Sequence, residues 1–134
     1  LGMAAGPLCL VLGAATAWLD DPRWPLLYGL CVLWAWAGAI VHGMLCRIVP
    51  FLVWLHWCAP RVGQERVPSA KELLPDREIA LGFGLHVATL GLGVVAVLSG
   101  EGALFRAFGV GLSATGVTLL VGLVRGILRG RPSS

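Results

Sequence analysis

Apolar positions dominate this chain in four long runs, and polar ones are confined to the breaks between them. The runs are Leu1–Leu19, a segment from Pro25 to at least Arg47 that stays apolar to Trp57, Ile79–Ser99 and Leu104–Leu128. None alternates with a period of two, and each approaches or exceeds the ~20 residues a helix needs to cross the ~30 Å core of a bilayer. Backbone amides in lipid must be bonded within their own segment, so these runs read as helices. The expected fold is all-α: one membrane domain over 1–134, a bundle of four transmembrane helices at about 1–19, 25–47, 79–99 and 104–128.

The second run is the unusual one. Leu26–Trp57 holds one formal charge, Arg47, and one proline, Pro50. A straight helix from Pro25 to Trp57 would be roughly 50 Å long at ~1.5 Å per residue. Pro50 removes a backbone donor and crowds the preceding turn, so the expectation is a spanning helix to about Arg47 with a kinked, amphipathic extension to Trp57. Trp54, His56 and Trp57 then lie among the lipid headgroups. Asp20, Asp21, Pro22 and Pro25 break the chain between the first two runs. The 58–78 connection is the one sizeable polar stretch, and Ser69 followed by Glu72 has the spacing of a capping box, which predicts a short helix over 70–74.

Composition sharpens this picture. Hydrophobic residues make up 57% and charged residues 13%, against ~25% charged in soluble domains. No stretch outside the runs is long enough to bury the core of a water-soluble catalytic domain. With four crossings, Arg61, Arg66, Lys71, Arg77, Arg125, Arg129 and Arg131 share one side, and Arg23 and Arg106 take the other. Positive residues favour the cytoplasm, so the 58–78 loop and the C-terminus are expected there, in a bacterial inner membrane. The loop carries four basic and four acidic residues, which argues against a polybasic lipid patch. The lipid bilayer is the first partner, a membrane protein or a second copy the next, and no nucleic acid is expected. The chain begins at Leu1 rather than Met and has no basic stretch ahead of its first run, which reads as a piece of a longer protein rather than a signal peptide.

Chemistry-bearing residues are few. His42 and Cys46 are four apart and share a helix face, where they could hold copper, zinc or haem iron, with His86 as a third ligand. The alternative is that His42 bonds a neighbouring helix and Cys46 fills space. Arg47 either snorkels to the interface or, if buried, needs an anionic group such as a haem propionate. His56 lies between Trp54 and Trp57 as an interfacial anchor or a ligand. Gly109, Ser113, Gly122 and Gly126 have the small-residue spacing that lets helices pack closely, within the chain or in a dimer. All seven acidic residues fall in turns or loops, so proton relay through intramembrane carboxylates is not expected. There is no HExxH, no GxSxG and no paired carboxylate within a span, so enzymatic activity of this chain alone is not expected.

One stretch carries a family resemblance. Gly43-Met-Leu-Cys-Arg-Ile-Val-Pro-Phe-Leu-Val-Trp-Leu-His56, then Pro60-Arg-Val-Gly63 and Val67-Pro68, resembles a pattern of bacterial multi-pass proteins similar to haem-copper oxidase subunit I, including relatives of the membrane proteins of the nitric-oxide response. It covers about a quarter of the chain. The resemblance implies a respiratory-type membrane domain associated with haem or copper, with His42, Arg47, His56 and His86 as candidate contacts. True oxidase subunits have many more helices and an adjacent His-His pair, which this chain lacks. The alternative is a non-catalytic scaffold or assembly subunit that packs through its glycine-rich helices.

Overall fold

The computed structural model describes residues 2–18, 20–63, 67 and 69–131, and these fold as helices joined by short turns. Helix α1 runs Gly2–Trp18, α2 Arg23–Arg61, α3 Ala70–Leu73, α4 Asp76–Ser99 and α5 Gly102–Gly130. Of the four expected crossings, three are long and apolar enough to span a membrane: α2, α4 and α5. The described part of α1 is 17 residues, about 26 Å at ~1.5 Å per residue, and falls short of that length.

Helix α2 is extended, as its apolar run requires, and it is irregular. It passes through two π-helical segments, Cys31–Gly38 and Trp54–Cys58, and ends in a 3-10 turn, Ala59–Arg61. Pro50 lies inside the helical path and is buried. The second π segment follows within a turn of it, where the bonding ladder has already lost the proline N–H. The short helix foreseen after Ser69 is present as α3. Glu72 Oε2 accepts the Ser69 N–H at 3.0 Å, the acidic half of a capping box.

The helices run antiparallel. Helix α4 turns into α5 through Gly100, whose φ of +74° supplies the left-handed C-cap and whose N–H returns to Ala96 O at 2.9 Å. Gly93 is the close approach of the bundle: a Cβ there would sit 2.8 Å from the Phe108 ring and 3.1 Å from Leu30. Helices α4 and α5 are further tied by Thr89 Oγ1 and Thr115 Oγ1, 3.3 Å apart and buried. Helix α1 lays Gly13 against the Tyr28 ring of α2.

The apolar part of α4, Ile79–Leu98, is 20 residues, about 30 Å, bounded by Asp76, Arg77 and Glu78 at one end and by Glu101 at the other. Gly38 faces His86 and His42 faces Gly82, so the α2 residues from about Arg47 onward stand beyond that apolar layer. This outer part of α2 packs on α3 and the end of α5. Leu73 and Cys58 are fully buried there, Gly126 meets Leu73 O, and Gly130 meets the Val53 side chain with no room for a Cβ. Arg61 closes the cluster, donating to Trp57 O at 2.8 Å and to Gly130 O at 3.4 Å.

Little else is buried. Only 6% of the most apolar window of α5 lies inside the chain. Leu33, Val41, Leu81, Val110 and Val117 are among the many large side chains exposed on the outside, the surface a bilayer solvates rather than an interior.

Candidate functional site

Two histidines on neighbouring helices clasp each other's backbone. In α2, Gly38 precedes His42 by four residues; in α4, Gly82 precedes His86 by four. Because the helices are antiparallel, each ring covers the other helix's glycine. A Cβ at Gly38 would lie 3.0 Å from His86 Cε1, and one at Gly82 would lie 3.1 Å from His42 Cε1. The ring centroids are 5.9 Å apart, and both side chains are at least 95% buried.

The pattern extends one step further on each helix, to Trp34 and to Glu78. Here the symmetry fails. His86 Nε2 lies 3.0 Å from Trp34 O, and Trp34 Nε1 donates to His86 O at 3.3 Å, so side chain and backbone are exchanged in both directions. With Nε2 donating, Nδ1 is left without a proton in the neutral ring. The rings stack at 4.6 Å. Trp34 lies inside the first π segment, and at its end the Ala39 N–H goes to Trp36 O, so it does not compete for the Trp34 carbonyl. Position 78 lies in the first turn of a regular helix, and His42 makes no corresponding bond to it. His42 Nε2 is buried without a hydrogen-bond partner.

Glu78 contributes the second unpartnered atom. Its Oε1 accepts from Arg129 at 2.7 Å, and Arg129 also donates to Leu73 O at 3.1 Å, which fixes the carboxylate at the end of the bundle. Its Oε2 is buried and unbonded. These are the only two such side-chain atoms among the described residues, and both residues line one cavity of ≈250 Å3 between α2, α4 and α5. Cys46, Gly82, Thr118 and Arg125 line it too, with an otherwise apolar wall. An unpaired buried polar group costs roughly 1–3 kcal/mol, and both residues that carry one line this wall.

The residues singled out from the sequence are distributed unevenly around this site. His42 and Cys46 share the cavity wall, and His86 stands behind His42, committed to Trp34. Arg47 is exposed on another face and makes no hydrogen bond or ion pair with a described residue. His56 is exposed in the outer part of α2, its ring 6.3 Å from that of Trp57 and about 21 Å along the helix from His42. Gly122 and Gly126 pack inside the chain against Leu74 and Leu73, whereas Gly109 and Ser113 face outward, with no neighbour within 4 Å of a Cβ at Gly109. Among the described residues no three His, Cys, Asp or Glu side chains come together as a metal site. All four cysteines are free and buried.

Sequence reasoning places every acidic residue in a turn or loop and so misses Glu78, which sits in the first turn of α4 and turns one oxygen inward. The repeated spacing of Trp34, Gly38 and His42 with Glu78, Gly82 and His86 is the signal that could have found it. The chain matches no family model, no curated protein and no solved structure.

Proposed function

We propose that this chain is a multi-pass membrane protein that binds a small molecule in the cavity between α2, α4 and α5, held by His42 and Glu78. One observation carries the reading: the two residues with a buried side-chain atom left without a protein partner, His42 at Nε2 and Glu78 at Oε2, line the same cavity. Ionisable groups at membrane depth mark sites of binding or transfer more often than they stabilise a fold. Arg77, Arg125, Arg129 and Arg131 cluster at this end of the helices, which supports a cytoplasmic orientation for it.

The haem or copper association implied by the family resemblance fits this cavity poorly. His42 is the one imidazole on its wall and no three His, Cys, Asp or Glu side chains gather there, so a copper ion would need ligands from outside the described residues. At ≈250 Å3 the cavity is below the roughly 300–1,000 Å3 of drug-sized ligand sites, too small to enclose a haem. A small organic molecule suits it better.

The test is native mass spectrometry of the full chain released from its own membrane, with metal analysis and an optical spectrum on the same sample. A molecule bound one per chain, lost in His42→Phe and kept in His56→Ala, is the expected result. Identical adducts in wild type and His42→Phe would refute the site. A stoichiometric Soret band or copper signal lost in His42→Phe would move the assignment to a metal cofactor.

A second reading, a scaffold or assembly subunit, draws on α5. Gly109, Ser113 and Gly116 are exposed on its outer surface, with open space at both glycines. Gly109→Leu should then dissociate a co-purifying membrane partner, while Gly122→Leu, which meets Leu74 within the chain, should act on folding instead.

A further inference from the structure

We infer that two copies of this chain pair in the membrane through the outward face of α2 between Val41 and Leu55. The inference is independent of the cavity and adds an interaction surface together with its partner, a second copy.

The face is defined by two sets of positions on one helix. His42, Cys46, Pro50 and Val53 are buried on the side that meets the bundle. On the opposite side Val41, Met44, Ile48, Phe51 and Leu55 recur at intervals of 3, 4, 3 and 4, and each is 44–55% exposed. Leu52 widens the stripe at its outer end. No charged, amide or hydroxyl side chain lies from Ile48 to Leu55.

Lipid tails do not cover the outer half of this stripe. The apolar layer ends near Arg47, and Leu55 stands eight residues further out. That is about 12 Å at ~1.5 Å per residue, past the ~5–8 Å headgroup layer of one leaflet. Among the described residues the chain does not fold back over it either, because the contacts of this part of α2 with α3 and the end of α5 are made on the inner side, where Gly130 meets Val53 and Arg61 reaches Gly130 O. The stripe is a fixed apolar face at the bilayer surface, and a face of this kind marks an interaction site.

A second copy fits it in spacing, direction and area. The 3-4 repeat is the seam spacing of two helices packed along each other. Two copies inserted the same way are related by a two-fold axis along the membrane normal, so their α2 helices run parallel and in register, and each seam residue meets its own counterpart at the same depth. Arg47 is the one charge beside the seam, and the axis puts the two Arg47 side chains on opposite flanks, so no like charges are brought together. Six large side chains left about half exposed amount to on the order of 500 Å2 per chain, so a pair buries about 1,000 Å2, the size at which specific interfaces begin.

The test is disulfide trapping of the full chain in its own membrane. The four native cysteines are buried, so they stay, and the unsubstituted chain sets the background. On oxidation with copper phenanthroline, Ile48→Cys, Phe51→Cys and Leu55→Cys should each give a species of twice 14.1 kDa, at least threefold above Val110→Cys on the exposed face of α5. Background yield at all three positions overturns the inference. Equal yield at Val110→Cys reports random collision and overturns it as well. A cross-linked species of any other mass gives the face to a different protein and refutes the second copy. Should the cysteine chains fail to fold, native mass spectrometry of the unsubstituted chain in nanodiscs decides: a dimer that Ile48→Glu with Phe51→Glu splits and Gly109→Leu leaves whole is the expected result. A monomeric unsubstituted chain, or a dimer that survives both glutamates, refutes the pairing.

Discussion

Replacing Gly38 by alanine tests the clasp at its tightest point. The new Cβ would stand 3.0 Å from His86 Cε1, while Leu33 O at 3.4 Å stays in ordinary contact. The ring cannot move freely, because it is 97% buried, stacked on Trp34 and bonded to Trp34 O. Overpacking of this kind costs ~1–3 kcal/mol. Lengthening the His86–Trp34 bond adds ~0.5 kcal/mol, near the average for side-chain bonds between membrane helices. Against this, alanine gains up to ~1 kcal/mol over glycine in a helix. The net expectation is a loss of about 0.5–2.5 kcal/mol with the full helix gain, by that arithmetic. Gly43 provides the control: it is on the same helix with nothing within 4 Å, so Gly43→Ala should be neutral or gain up to ~1 kcal/mol. Gly82→Ala should fall between them, because the His42 ring it meets at 3.1 Å has no hydrogen bond at Nε2 to hold it. Reversible unfolding in mixed micelles, followed by far-ultraviolet circular dichroism, gives the three free energies. A Gly38→Ala chain as stable as Gly43→Ala would show that the two histidines do not hold these helices together.

Two further outcomes follow from single contacts. Thr89→Val removes half of the buried hydroxyl pair and should cost about 0.6 kcal/mol, at most about 1.7, in the same unfolding assay; Thr115 keeps its bond to Gly111 O at 2.8 Å. Gly130→Ala should push Val53 and Trp57 off the end of α5, so that hydrogen exchange over residues 54–61 rises while α4 stays protected; unchanged exchange in α2 would show that this contact does not hold the outer part of the helix.

The order and approximate extent of the apolar helices are legible in the sequence because membrane crossing depends on length and hydropathy alone. The runs 25–57, 79–99 and 104–128 reappear as Arg23–Arg61, Asp76–Ser99 and Gly102–Gly130, each at least as long as its apolar stretch because polar and charged residues supply the first or last turn. The capping pair Ser69–Glu72 is legible because it is local. What escapes is the register between helices. Gly122 and Gly109 have the same spacing logic, yet one meets Leu74 and the other meets nothing, because the outer part of α2 and α3 cover only the last turns of α5. Glu78 escapes for a similar reason. A charge at a helix start counts as solvated until a partner such as Arg129 pins one oxygen and leaves the other facing inward.

The two histidines show where local reading ends. Each follows a glycine by four residues, each lies in an apolar helix, and each covers the other's glycine, so by sequence they have the same claim to a role. What separates them is the partner each one meets. The π segment over Cys31–Gly38 holds the Trp34 carbonyl that His86 Nε2 bonds, and the regular start of α4 offers His42 nothing equivalent. One ring is thus a strut between helices, and the other keeps a buried nitrogen without a partner. The carbonyl that makes the difference stands 52 residues along the chain from the histidine it fixes. The difference between the two rings is thus set by the α2–α4 register, not by any motif around His42 itself.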